Sequence, residues 1–229
     1  MHTDHYKKHD KLLLAVDCII FGFDGNKLKA LLIKRNFDPG KNHWSLMGGF
    51  IKREESVDDA AKRILLQLTG LKDIYMEQLT CFGDVNRDPG GRVISLAYFA
   101  LIKINGNSHA SMEEHNAQWF ELNNIPKLIF DHRNMIELAK KRLREKISNH
   151  PVGFELLPEK FTLQQLQNLY EAIYEISFDR RNFSRKILSL QIFKKLDEKE
   201  KASSKKGAYY YVFDKVKYKK LEKEGVSFI

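Results

Sequence analysis

The sequence predicts an α/β domain, a mixed sheet flanked by helices, followed by a smaller module of helices closed by a hairpin. Three observations carry this. Apolar strand-like runs alternate with amphipathic helical stretches over roughly the first two-thirds of the chain. The pattern changes after His150-Pro151-Val152-Gly153. Positive charge is concentrated beyond that point: residues 180–220 hold 14 Lys/Arg against 4 Asp/Glu, a local net of +10 in a chain of net charge +9. The division predicted is 1–149 and 150–229, and 229 residues suffice for two cores.

Each element has a local reason. Residues 12–23 and 27–33 read as apolar strands joined by a turn at Asp24-Gly25-Asn26. A loop with Pro39 and Gly40 leads to Trp44-Ser45-Leu46-Met47-Gly48-Gly49-Phe50. Ser56, with Asp59 three residues on, reads as a helix cap. Ala60, Ala61, Ile64, Leu65 and Leu68 form that helix's apolar face, and Gly70 ends it. Residues 74–82, 93–104 and 118–122 read as strands. Residues 130–147 read as an amphipathic helix with Met135, Ile136, Leu138, Ala139 and Leu143 inward. Past the boundary, 154–157 reads as a short strand. Residues 162–173 form a helix with Leu163, Leu166, Leu169 and Tyr170 inward, and 180–190 a second helix capped by Asp179. Residues 192–196 and 208–213 are strands around a polar tip at 197–207. With 130–147 as its first helix, this is the order of a winged helix-turn-helix.

Composition excludes several classes. With 43% hydrophobic and 30% charged residues the chain is globular rather than disordered. Its longest apolar run, 12–23, is broken by Asp17 and is too short to span a membrane. The first eight residues lack the apolar core of a secretory leader. Cys18 and Cys81 have no Cys or His partner at zinc-finger spacing. A reduced cytoplasmic protein is expected, with no membrane partner, no metal and no cofactor.

Gly49, Glu55, Arg63, Gly70 and Leu71 stand at the spacing G-x5-E-x7-R, ending in Gly and a bulky aliphatic. This resembles the Nudix box, and with 44–49 the resemblance covers roughly the first two-thirds of the chain. It implies a Nudix-like α/β/α sandwich with a mixed sheet, whose usual activity is Mg²⁺-dependent hydrolysis of nucleoside diphosphates linked to another group. Three carboxylates at i, i+3 and i+4 of the box helix would share one face, offer Mg²⁺ its oxygen ligands and let it activate water. Those positions are Ile64, Gln67 and Leu68 here. An apolar face cannot hold a hydrated dication, so no catalytic residue and no enzyme activity are expected. The rival reading is a hydrolase with a displaced metal site, which would recruit Glu54, Asp88, Glu113 or Glu114. The resemblance also implies a retained ligand cleft at Arg35, Trp44, Phe82, Arg87, Asp88, Arg92 and Tyr98. Each has a plainer reading: Trp44 and Phe82 suit a core, and Arg87 and Asp88 a surface turn.

In the second helix of the C-terminal module, Phe183, Ile187 and Leu190 form the buried stripe. Arg180, Arg181, Asn182, Ser184, Arg185 and Lys186 are left outside, residue types that read base edges and hold phosphates. Thr162 and Gln164 would donate to backbone phosphates, and Lys205 and Lys206 would be the wing's contacts. The rival here is a protein–protein module. Residues 157–174 and 181–187 resemble the Nudix-related transcriptional regulators. That resemblance implies a homodimer that binds double-stranded operator DNA through its winged helices, while the Nudix-like domain senses a small molecule. One branch of that family responds to ADP-ribose and governs NAD biosynthesis; another responds to L-arabinose and governs pentose use. The stretches 16–22 and 44–50 are similar to the arabinose type. A pentose such as L-arabinose is therefore the expected effector, with ADP-ribose as the alternative.

Overall fold

The computed structural model describes residues 5–104, 116–149, 156–201, 207–214 and 216–218. The sheet is built around β1 (Leu13–Phe23). One edge of β1 pairs in parallel with β6 (Val93–Lys103) over its full length. The other edge pairs antiparallel with β4 (Met47–Phe50) and then β2 (Leu28–Lys34). Beyond β2 lie β3 (Trp44–Ser45) and β7 (Ala117–Glu121), and beyond β6 lies β5 (Glu77–Phe82). The sheet is therefore mixed, as expected.

Strand alternation divides β1 between two cores. Val16, Cys18 and Ile20 pack with Ala60, Ala61, Ile64 and Leu65 of α1 (Val57–Thr69). Ile19, Phe21 and Phe23 pack with Met135, Ile136 and Ala139 of α2 (His132–Asn149). A strand covered on both faces must be apolar on both, which is why residues 12–23 read as a nearly unbroken run. Helix α1 is set by its ends. The Ser56 hydroxyl accepts from the Asp59 N–H at 3.1 Å, and Gly70 closes the helix in the left-handed conformation at φ 71°.

The C-terminal module holds α3 (Leu163–Tyr174), α4 (Arg180–Ser189) and a three-stranded sheet. Its strands run in the order β8 (Phe161–Thr162), β10 (Ala208–Phe213), β9 (Phe193–Glu200). Thr162 and Gln165 form a reciprocal capping box at the start of α3, and Asp179 caps α4 by accepting from Asn182 N–H at 2.8 Å. The inward stripes are those expected, with Leu166, Leu169, Tyr170, Phe183 and Ile187 buried. The core on the α2 side of the large sheet continues through Leu143 and Ile147 into these residues without a break.

Several expectations shift. Of the strand expected at 154–157, residues 154 and 155 lie outside the described residues; Leu156 and Leu157 are buried but belong to no strand, and Phe161–Thr162 pairs with β10 instead. The strand expected from 74 begins at Glu77, because residues 71–76 lie along the outside of α1. Strand β9 runs to Glu200, so part of the expected polar tip is ladder. Leu138, expected inward, is exposed. The boundary at 150–153, Glu113, Glu114, Lys205 and Lys206 lie outside the described residues. Among the described residues no helix is long and apolar enough to cross a membrane.

Replacing Thr162 by Ala removes the α3 cap. It is expected to lower stability by about 1 kcal/mol, seen as a lower urea midpoint with an unchanged slope.

Candidate functional site

The box retains its frame. Arg63 grips Glu55 with two hydrogen bonds, 2.8 Å from Nε and 2.6 Å from Nη2, and Nη2 also donates to the Phe50 carbonyl at 3.1 Å. The Lys52 N–H donates to the same carboxylate at 2.7 Å. The Arg63 hydrogen bonds, with that N–H second, draw the Glu55 carboxyl down to about 2. The loop before α1 is thereby pinned to the helix.

The three family metal positions do not fit a hydrated dication. Ile64 is buried among Val16, Met47 and Leu65, and Leu68 packs against the same cluster. The Gln67 amide oxygen accepts from Arg63 Nη1 at 3.1 Å. Of the displaced-site candidates, Glu54 is exposed on the surface and Asp88 accepts from the Gly90 N–H at 2.8 Å. Among the described residues no group of three or more His, Cys, Asp or Glu side chains is placed to hold a metal ion.

A cleft of about 130 Å³ lies against the C-terminal part of α1, with Arg35, Phe37, Ser45, Gly48, Gln67 and Leu68 on its walls. Of the seven residues expected to line a ligand site, Arg35 lines this cleft, and Tyr98 lines a separate one of about 360 Å³ beside Asp58 and Lys62. The Arg35 guanidinium lies 3.8 Å from the centre of the Phe37 ring, and its Nε donates to the Phe37 carbonyl at 3.2 Å. The other six do not line this cleft. Trp44 packs edge-on to Phe120 at 4.7 Å, and Phe82 is half-buried against the α2-side core. Tyr98 crosses to the α1 side and donates to Asp58 at 2.5 Å. Burial, aided by that carboxylate, raises its phenol well above the usual range. Arg92 is half-buried and donates to the Gly83 and Asp84 carbonyls, both at 2.9 Å. Asp88 sits in a turn, as above.

Arg87 belongs to a buried charge cluster behind the cleft. It donates to Asp131 at 2.9 and 2.8 Å and to Asp17 at 3.4 Å. Ser95 donates to Asp17 at 2.6 Å. His132 Nδ1 accepts from the Leu46 N–H at 3.1 Å, so its proton is on Nε2, 3.6 Å from Asp17 Oδ1. Burial holds the His132 pKa below its ordinary value, against the pull of Asp17 and Asp131. The cluster carries two carboxylates against one guanidinium and a neutral imidazole, satisfied by hydrogen bonds. Sequence reasoning missed Asp17, His132, Ser95 and Asp131. The available signal was Asp17 itself, a charge inside an apolar run.

In the C-terminal module, Phe183 and Ile187 are buried, while Arg180, Arg181, Asn182, Arg185 and Lys186 are exposed and Ser184 is half-buried. Arg185 donates to Asn182 Oδ1 at 2.6 Å. Among the described residues no carboxylate pairs with Arg180, Arg181, Arg185 or Lys186, so α4 presents four uncompensated cations. Gln164 is exposed, bonded to Asn168 at 2.9 Å. Thr162 is a correction: it is 5% exposed and its hydroxyl is engaged in the capping box, so it cannot reach a phosphate.

The sandwich with a box loop pinned to α1, joined to a capped helix-turn-helix and hairpin, defines a Nudix protein with an appended winged helix. Residues 11–139 match the NUDIX domain, and residues 153–213 match the NrtR DNA-binding winged helix domain. The chain belongs to the Nudix family, in the NrtR-type branch that joins these two domains. It is 33% identical to the ADPR-responsive transcriptional repressor of Acinetobacter baylyi over 214 residues, 91% of this chain and 85% of that protein. It is 40% identical to the ADP-ribose pyrophosphatase of Methanocaldococcus jannaschii over 109 residues, 48% of this chain and 64% of that enzyme. The structure of Shewanella oneidensis NrtR complexed with a 27mer DNA superposes with a TM-score of 0.72 at 28% identity, covering 90% of this chain and 95% of that one. The NUDIX domain of the same regulator complexed with ADP ribose superposes at 0.54 and 32% identity, covering 62% and 99%.

Two outcomes are expected. A β-carbon at Gly48 would overlap Asp17 Oδ1, so Gly48→Ala should cost about 1–3 kcal/mol in urea unfolding. His132 is held neutral when folded, whereas the unfolded chain protonates a histidine near 6.5. Its contribution is therefore intact above that value and lost as pH falls through it. Urea midpoints between pH 8 and about pH 5 should fall less steeply for His132→Asn than for the native protein.

Proposed function

We propose that this protein is a transcriptional regulator that binds operator DNA through α4 and the wing, while its Nudix domain holds a small-molecule effector without hydrolysing it. The observation that carries the reading is the outward face of α4. Four cations stand there without carboxylate partners among the described residues, on a helix fixed by its cap and its buried stripe, the form that enters a major groove. A homodimer on a near-palindromic operator belongs to the same reading, since a two-fold pair of winged helices matches two half-sites.

ADP-ribose is the effector we favour over a pentose. The resemblance of 16–22 and 44–50 placed L-arabinose first. The repressor and the NUDIX-domain complex among the relatives both name ADP-ribose, and Arg35 at the cleft suits a diphosphate. At about 130 Å³ the cleft is smaller than the ~300 Å³ or more of ordinary ligand pockets, so a ligand of that size enters only by parting its walls. The absence of turnover is supported by Ile64, Gln67 and Leu68 at the metal positions.

Selection of genomic fragments by the purified protein, at physiological salt with competitor DNA, should enrich a few near-palindromic sites. ADP-ribose should change their affinity and L-arabinose should not. Arg181→Ala and Arg185→Ala should each cost about 1–3 kcal/mol on the selected sites if they read bases, and a scaffold role predicts no such loss. Release of AMP from ADP-ribose with Mg²⁺ would overturn the non-hydrolytic part.

A further inference from the structure

Helix α2 touches both the effector cleft and the DNA-reading module. At its first turn His132 accepts the N–H of Leu46 and lies 3.4 Å from the Ser45 hydroxyl; both residues form the cleft wall. Twelve residues on, about 18 Å along the axis, its cationic side meets the C-terminus of α3. Lys140 contacts Glu175 at 2.7 Å and Arg144 contacts the same carboxylate at 2.5 Å. Arg144 Nε donates to the Ile173 carbonyl at 2.9 Å, and the Tyr174 hydroxyl donates to the Arg144 carbonyl at 3.2 Å. Glu175 caps α3 in the left-handed conformation at φ 58°, a strained setting for a residue with a β-carbon. Just beyond it is the turn into α4. There the Phe178 N–H donates to Glu171 at 2.8 Å and Gln167 donates to the Phe178 carbonyl at 2.9 Å. Glu175 also lines a cleft of about 400 Å³ between α3 and the strand-end residues Lys27 and Glu121.

We propose that Glu175 is the positioning residue that couples the effector cleft to the helix-turn-helix, with α2 as the rigid member between them. Parting the Ser45–Leu46 wall displaces the α2 N-terminus through His132, and α2 carries Glu175 and the turn before α4 with it. The two cations at the α3 C-terminus are matched both to the carboxylate and to the helix dipole, so the joint is held in one geometry. This rests on the ADP-ribose reading above.

The test is Glu175→Gly in the full-length chain. Glycine accepts the left-handed cap without strain, so the variant removes the carboxylate and keeps the fold, which circular dichroism and the thermal midpoint verify. Binding to the DNA fragments selected by the native protein is measured with and without ADP-ribose. The expected result is an affinity without ADP-ribose within about threefold of native, with the ADP-ribose-induced change, commonly 5–150-fold in coupled sites, falling below about a third of its native value. Glu175→Gln, which keeps an acceptor for Lys140 and Arg144, should fall between. A full response in Glu175→Gly overturns the proposal, as does loss of DNA binding in the folded variant, which would make Glu175 part of the DNA surface. If the native protein itself binds no DNA or ignores ADP-ribose, the regulator reading falls first and this inference with it.

Discussion

Helix α2 is buried on two sides, and the arrangement of the molecule depends on that. One stripe, Met135, Ile136 and Ala139, closes the sheet; Leu143 and Ile147 continue into the core that holds α3 and α4. A helix with two apolar neighbours has little freedom to rotate, because any turn of its axis exposes one stripe or the other. The polar contacts at its ends, His132 to Leu46 and Arg144 to Glu175, refine a placement that packing has already made.

The sandwich itself is organised around a buried carboxylate. Asp17 interrupts the most apolar strand of the sheet, yet accepts from Ser95 and Arg87 and faces His132 across 3.6 Å. Burying an unpaired carboxylate would be prohibitive, so its partners and the glycine at 48 are required by it. The box follows a similar logic. Its structural ion pair, Glu55 with Arg63, is intact, while of the positions that would carry metal Ile64 is buried, Leu68 is half-buried and Gln67 is bonded to Arg63.

Much of the fold was legible because periodicity reports faces. The two-sided burial of β1, the Ser56 and Asp179 caps, the stripes of α3 and α4 and the order of the winged helix all follow from local pattern. The cleft was not legible to the same degree. Trp44, Phe82, Arg87 and Tyr98 are aromatic or charged residues whose roles depend on partners far away in sequence: Phe120, the α2-side core, Asp131 and Asp58. Spacing says which way a side chain leaves the backbone. It does not say which distant charge will meet it. Thr162 was misplaced for a local reason instead, since a threonine at a helix start serves the helix before it serves a phosphate.

The apolar side chains at 64 and 68 also bear on how long a signal lasts. In the proposed regulator, a cleft that does not consume its ligand is filled and emptied by concentration alone. Its occupancy at any moment records the surrounding pool, and the record is erased by dilution rather than by a bond-breaking event. Sensing and clearance then belong to different molecules, and the half-life of the response is set by how fast those others deplete the pool.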